Sequence, residues 1–435
     1  MPSAAFLARI YAASFLYDGS FYVVMTVVAL RAIALGASSL QLGLMPVLGS
    51  GSYVLAALVL GHLSDRWPRF AMARIGCVLR AAAVLGVIGA GDPVSLLWWM
   101  PVLGASNGFF WPGLQAVLGT VAEGERLGRV LGGFNVGWST GKMLGFFLGG
   151  FFLERVGHAP VLVAAAFATF APALILPWRE VRTSAGTAGD EHDRLDRHDP
   201  NDRLDPCDPN DPSEPTDLHD SRDPRDPRDR DPIRRGLPGG PAAWSRWRQL
   251  GWAANFVLFG LGATLNFHYP KFLDAHGLGG GAVFGAFLGI VYLSQTVFFV
   301  VAGLWHGWPF RLWPLAGTQI ACATGVGMLL VLRAPVAIWA VAPLVGIGLG
   351  FAYSSSIYYS LHGSRQKGQS TGIHEALLGS GSFLLPFLAG VLVDLTGSLA
   401  APYLLLVGAL LVLVIFETTR VVVLRVDRGA RLPGA

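Results

Sequence analysis

FFLGGFFLERVG at residues 146–157 and PFLAGVLVDLTG at residues 386–397 are one segment written twice, 240 residues apart. Each is apolar and ends on an acid, Glu154 or Asp394, with a glycine three residues further on. The same offset sets Gly128 on Gly368, Asn135 on Glu375, Gly141 on Gly381 and Trp99 on Trp339. An offset of 241 sets YAASF at 11–15 on WAANF at 252–256, and Gly36 on Gly277. Spacing this constant over so much chain means a duplicated unit.

The unit is defined by its apolar runs. A bilayer span needs about 20 apolar residues. Such runs fall near 5–30, 40–60, 72–91, 94–119, 129–153 and 158–178, and again near 249–270, 279–304, 312–332, 335–361, 371–396 and 398–420. Six is even, so the second set enters the membrane in the same sense as the first. The expected fold class is therefore an all-α integral membrane protein, with twelve transmembrane helices in two parallel-repeat six-helix bundles. Membrane carriers that rock two bundles about a midplane site are built on that plan. The division is 1–178 for the first bundle, 179–248 for a charged linker, 249–420 for the second bundle and 421–435 for a tail.

Composition agrees. Of 435 residues 53% are hydrophobic and 14% charged, with a mean hydropathy of +0.51, whereas a soluble domain carries roughly 25% charge. Residues 179–248 hold 13 Lys/Arg and 17 Asp/Glu, which leaves 19 basic and 11 acidic side chains for all the rest. The first run is not a cleavable signal: it is too long, holds Asp18 and lacks a small-residue cleavage site. The cysteines, Cys77, Cys207 and Cys322, form no CxxC pair, so neither a disulfide framework nor a zinc site is indicated. With the N-terminus in the cytoplasm, 13 Lys/Arg of the short loops fall on the cytoplasmic side and 4 on the other. The positive-inside rule then predicts a multi-pass plasma (inner) membrane protein with both termini cytoplasmic.

From Asp190 to Asp229 an acid stands at every third position, with proline and arginine between, as in DPRDPRDRDP. Such a segment has nothing to bury and reads as an extended, disordered tether. His192, His198 and His219 among the aspartates could be taken as metal ligands; a slippage-expanded linker is the plainer account.

The loop after the second run reads GHLSDRWPRF, Gly61 to Phe70. Here the sequence resembles the major facilitator superfamily, whose signature at this loop is a glycine, an aspartate four residues on, then closely spaced basic residues. Gly61, Asp65, Arg66 and Arg69 match, while Pro68 and Phe70 depart from the pattern. The resemblance implies a gating loop that latches the two bundles on the cytoplasmic side. An ordinary positive-inside loop is the alternative, and the second-half copy, AGLWHGWPFRLW, lacks the acid. GKMLGFFLGG, Gly141 to Gly150, approximates a family motif associated with antiporters, but Phe146 stands where its proline would be. In the repeat copy Pro386 is present and Leu385 replaces the glycine. Close helix packing alone also accounts for such small-residue spacing.

Ionisable residues inside a membrane are expensive and therefore functional candidates. Outside the linker, two acids lie well inside the runs, Asp18 and Glu375. Asp18 is about twelve residues into the first run, roughly 18 Å at 1.5 Å per residue. Tyr11, Ser14, Asp18, Tyr22 and Met25 share one helical face, a polar stripe towards a cavity. An acid on the first helix often carries the coupled proton in the family that the chain resembles; packing, or pairing with Lys142, is the alternative. Glu375 and His374, nearer the cytoplasmic end, are either a proton relay or a structural pair. Lys142 and Arg80 are the intramembrane cations, free to neutralise an acid, bind an anionic solute or snorkel.

Other polar residues complete the candidate substrate site: Asn107, Trp111 and Gln115 on the fourth run, then Asn266, His268 and Tyr269 on the seventh. The eighth and tenth runs add Gln295, Tyr353 and Tyr358. The first, fourth, seventh and tenth helices line the cavity in the family that the chain resembles. Amides and hydroxyls among aromatics suit a small polar solute such as a sugar or related metabolite. The expected function is a secondary active transporter, proton-coupled and working by alternating access. The alternatives are an efflux antiporter for amphipathic compounds and, further off, a transporter-derived sensor or scaffold. No Ser/His/Asp set, HExxH or P-loop stands in a plausible setting, so no enzyme is expected. The expected partners are the lipid bilayer, a small-molecule substrate and protons. A monomer is expected, without cofactor, bound metal or nucleic acid.

Overall fold

A computed structural model describes residues 3–63, 67–121, 124–178, 241–305, 307–331, 335–361 and 367–429. Twelve α-helices and no strand appear among them. They are α1 (Ala4–Ala34), α2 (Ser39–Leu63), α3 (Arg69–Ile88), α4 (Pro93–Val121), α5 (Gly124–Val156) and α6 (His158–Ile175). The second set is α7 (Pro241–Ala275), α8 (Gly281–Leu304), α9 (Leu312–Val331), α10 (Pro335–Leu361), α11 (Lys367–Thr396) and α12 (Ala401–Gly429). Ten are long and apolar enough to cross a membrane; α4 and α5 are long enough but less apolar. The reason is visible in their sequences: α4 spends interior positions on Pro101, Pro112, Asn107 and Gln115, and α5 on a run of glycines with Asn135 and Lys142. Exposed Trp98, Phe167, Trp178, Leu304 and Val331 would be ruinous in water and ordinary against lipid.

Two boundaries differ from the sequence division. Helix α7 begins at Pro241, inside the stretch assigned to the linker, and α12 runs on to Gly429, inside the stretch assigned to the tail. Hydropathy ends a span where charges begin, whereas a helix ends where its hydrogen-bond ladder does. Residues 179–240 of the linker, like Asp65 and Arg66, lie outside the described residues; Gly61 belongs to α2 and Arg69 opens α3.

The duplication is physical. In the first half α1 packs on α5, α2 and α3 on α4, and α3 on α6; in the second α7 packs on α11, α8 and α9 on α10, and α9 on α12. The halves join through two equivalent pairs, α5 with α8 and α2 with α11. Backbones come very close there: a Cβ on Gly43 of α2 would stand 2.7 Å from the Pro386 carbonyl oxygen of α11. Only small residues permit that approach, which supplies the dispersion contact that lipid cannot.

The end of the molecule opposite the chain termini, the far end, is tied by the repeated acids. Glu154 Oε1 accepts a hydrogen bond from the Ala282 amide at 2.9 Å, and Asp394 Oδ2 accepts one from the Leu40 amide at 3.2 Å. Ala282 and Leu40 are each the second residue of their helix, where an amide has no partner within the helix. Lys271 adds a link from α7, donating to the Ala37 carbonyl at 3.3 Å and to Ser39 Oγ at 3.0 Å. In the turn between α3 and α4, Asp92 accepts from the Ser95 and Val94 amides, and these bonds hold its carboxyl below the usual range.

Candidate functional site

A cavity of about 200 Å³ lies between the halves. That is below the roughly 300–1,000 Å³ of pockets for drug-sized ligands, so it fits a small solute. The expected helices α1, α4, α7 and α10 line it, and α2, α5, α8 and α11 do so as well. Of the sequence candidates it brings together Asp18, Tyr22, Asn107, Trp111, Gln115, Lys142, Asn266, Tyr353 and Glu375. Much of the remaining wall is apolar, with Phe21, Phe134, Trp138, Phe146, Phe259, Phe267 and Tyr292 beside Met25, Met100 and Leu349.

Asp18 is 6% exposed and Lys142 is 4% exposed. Neither closes a hydrogen bond or ion pair with any described residue. The Lys142 ammonium instead lies 3.9 Å from the ring centre of Tyr292 and 4.2 Å from that of Tyr22. Ring faces attract a desolvated cation by up to about 2 kcal/mol. The pairing of Asp18 with Lys142 weighed from the sequence is therefore not a closed salt bridge.

Arg80 neither snorkels nor faces lipid. It is wholly buried, donating to Ser106 Oγ at 3.2 Å, to the Tyr17 carbonyl at 2.9 Å and to Asn107 Oδ1. Its guanidinium lies 3.4 Å from the centre of the Tyr17 ring, which stacks on Phe110. Asn107 Oδ1 also accepts from Trp111 Nε1 at 3.2 Å, so the amide nitrogen is the group left for the cavity side. Its one bond is to the Leu103 carbonyl at 3.3 Å.

Glu375, on α11, accepts from two residues of the other half, Tyr53 of α2 and Gln115 of α4, each at 3.3 Å. His374, wholly buried beside it, faces into the second half instead. Its Nδ1 meets Ser356 Oγ at 2.7 Å and Asn255 Nδ2 at 3.4 Å, and its Nε2 has no partner among the described residues. The two neighbours therefore do different things: Glu375 spans the halves, and His374 packs one of them.

Four further candidates are not cavity walls. His268 Nε2 lies 2.9 Å from the Pro386 carbonyl and fastens α7 to α11. Tyr269 is buried among Phe272, Phe287 and Tyr403. Gln295 is buried with neither amide atom partnered by a described residue. Tyr358 packs against Trp308 and Phe310. Of the polar stripe on α1, Tyr11 hydroxyl donates to the Val130 carbonyl at 2.9 Å and Ser14 to the Ile10 carbonyl, so only its far part reaches the cavity.

The sequence reading also passed over three residues. Tyr53 and Tyr292 are lone tyrosines in apolar runs, and that isolation was the available signal. Glu417 corrects the reading that Asp18 and Glu375 are the two deeply placed acids. It is wholly buried between α9 and α12, with Gln319 Nε2 donating to its Oε1 at 2.8 Å. It looked terminal because the apolar run stops three residues later. Among the described residues no group of three His, Cys, Asp or Glu could hold a metal ion.

Against this geometry stand the likenesses to known proteins. A family model described as Major Facilitator Superfamily matches residues 10–374. A crystal structure of the nucleoside transporter NupG superimposes with a TM-score of 0.65 at 13% identity, covering 95% of this chain and 98% of that one. A bacterial homologue of the human lysosomal transporter Spinster, in an inward-facing and occupied conformation, gives a TM-score of 0.62 at 13% identity, with 96% of each chain covered. At these identities the likeness concerns the fold. Multidrug resistance protein 1 of Bacillus subtilis (strain 168) is 30% identical over 145 residues, 33% of this chain and 37% of that protein. The chain thus matches little more than a third of that relative's length.

Proposed function

We propose that this chain, which belongs to the major facilitator superfamily, is a proton-coupled carrier of a small organic solute with an aromatic or otherwise apolar body. It works by exposing its central cavity alternately to the two sides of the membrane. The observation that carries the reading is Asp18: a carboxyl at mid-helix depth, nearly buried, unbonded to any described residue, and in the wall of a cavity between two repeated halves. An acid so placed can take and release a proton according to which side the cavity faces. The halves meet through narrow glycine seams and a few polar bonds, which can part and re-form more cheaply than a packed core. The aromatic wall shifts the substrate from the hydroxyl-rich class expected from sequence towards an amphipathic one. The partial likeness to a multidrug resistance protein points the same way. The excess of Lys/Arg on one side supports cytoplasmic termini and a plasma (inner) membrane location.

The test is solute-evoked proton movement, read with a pH-sensitive dye trapped in proteoliposomes, over a panel of aromatic and hydroxylated solutes. Aromatic solutes should evoke flux in the wild-type protein. Asp18→Asn, with unfolding behaviour unchanged, should abolish it. Undiminished flux in a folded Asp18→Asn protein would remove Asp18 as the coupling site.

A further inference from the structure

Buried charges in proteins are paired or hydrogen-bonded, because leaving one alone costs several kcal/mol. Two of the four buried acids and cations among the described residues obey: Arg80 has three bonds and Glu417 has its glutamine, while half-buried Glu375 has two bonds from the opposite half. Asp18 and Lys142 do not: each is more than nine-tenths buried, and neither has a bond to any described residue. Both line the same cavity.

We infer that Asp18 and Lys142 form a subsite for a solute bearing one cationic and one anionic group, with its apolar body against the aromatic wall. The inference rests on the reading of this cavity as the place where the transported solute sits. The two groups line one cavity without pairing, and the ammonium lies on the faces of Tyr22 and Tyr292 instead of on the carboxylate. Opposite charges held apart, each with bonding positions unused, complement a zwitterion. A cationic solute satisfies Asp18 and leaves Lys142 with a second positive charge beside it. An anionic one does the reverse, and a neutral one leaves both charges unanswered. Arg80 spends three of its five N–H donors on Ser106, Tyr17 and Asn107, and none of its described bonds is to Asp18.

Three probes of one body and different charge test this: phenylalanine, phenethylamine and 3-phenylpropionate, titrated calorimetrically into the detergent-solubilised full chain. Wild-type protein should favour phenylalanine about tenfold or more over either singly charged probe, as expected when a charged hydrogen bond of about 1.5–3 kcal/mol is lost. Asp18→Asn should weaken phenylalanine and phenethylamine by about that factor and spare 3-phenylpropionate; Lys142→Met should weaken phenylalanine and 3-phenylpropionate and spare phenethylamine. A damaged cavity would lose all three probes together, so the crossing-over of preference separates recognition from misfolding. The wild-type ranking needs no variant at all. The subsite is overturned if a singly charged probe equals phenylalanine in the wild-type protein, if both variants lose all probes alike, or if none of the three binds. In each of those cases Asp18-dependent proton flux with other solutes would still leave the carrier reading standing.

Discussion

The far end and the cavity treat the same duplication in opposite ways. At the far end each half does to the other what is done to it: Glu154 caps α8, and its copy Asp394 caps α2. In the cavity the copies differ in kind. Asp18 corresponds to Phe259, Lys142 to Ser382, and Asn135 to Glu375. A closure can be shared by two identical halves, because closing needs matched surfaces and nothing more. A site for one asymmetric solute cannot, because each of its groups needs its own partner. Symmetry therefore survives where the halves join and is lost where they bind.

The largest expected effect comes from the seams. A Cβ on Gly285 of α8 would stand 2.9 Å from Gly150 Cα of α5, backbone that cannot swing aside. Gly285→Leu should prevent the halves from docking, at a cost exceeding the usual 1–3 kcal/mol of an overpacked core, and folded protein should be nearly absent by size-exclusion chromatography. Gly43→Leu, against Pro386, should do the same at the equivalent seam. If only one of the two substitutions is damaging, the seams are not equivalent.

A smaller effect is expected at Glu375, where the symmetry is already broken. Its two bonds to Tyr53 and Gln115 are long, at 3.3 Å each, and each contributes about 0.5–1.5 kcal/mol. Glu375→Ala removes both. Spin labels near the ends of α2 and α11 on the side of the termini should then report about tenfold more of a separated population. A distance distribution identical to wild type would demote Glu375 from a tie between halves to a wall residue.

These contrasts also explain what the sequence could and could not say. The fold was legible because lipid imposes one rule on every span, and the repeat could be counted by eye from FFLGGFFLERVG and PFLAGVLVDLTG. The members of the cavity were half legible. A polar residue in an apolar run announces that it avoids lipid, but not whether it meets a cavity or a neighbouring helix. Asn107 and Asn266 went one way, and His268, Tyr269 and Gln295 the other. Arg80 and Asn107 are 27 residues apart in sequence, on neighbouring helices, and no periodicity connects them. Glu417 was hidden by the opposite fault: an acid at the end of an apolar run looks solvated unless the helix is known to continue.

The smallest effect belongs to the far-end caps, and it is the sharpest test of the comparison. A carboxylate at a helix N-terminus contributes about 0.3–1 kcal/mol when exposed, and up to about 2 kcal/mol when partly buried. Glu154→Gln and Asp394→Asn keep shape and one oxygen but remove the charge. Each should therefore loosen its own seam by a similar small amount, read as a modest rise in the separated population between α5 and α8 or between α2 and α11. The caps serve different helix pairs and share no partner, so the double variant should show the sum of the two single effects. Equal single effects that add would confirm a closure built from two identical halves. A dominant Asp394 would mean that Lys271, which binds Ala37 and Ser39 beside that cap and has no counterpart among the described residues beside the other, has made the far end asymmetric as well. Lys271→Met should then equalise the two caps, because it removes the link from α7 to the turn beside the Asp394 cap.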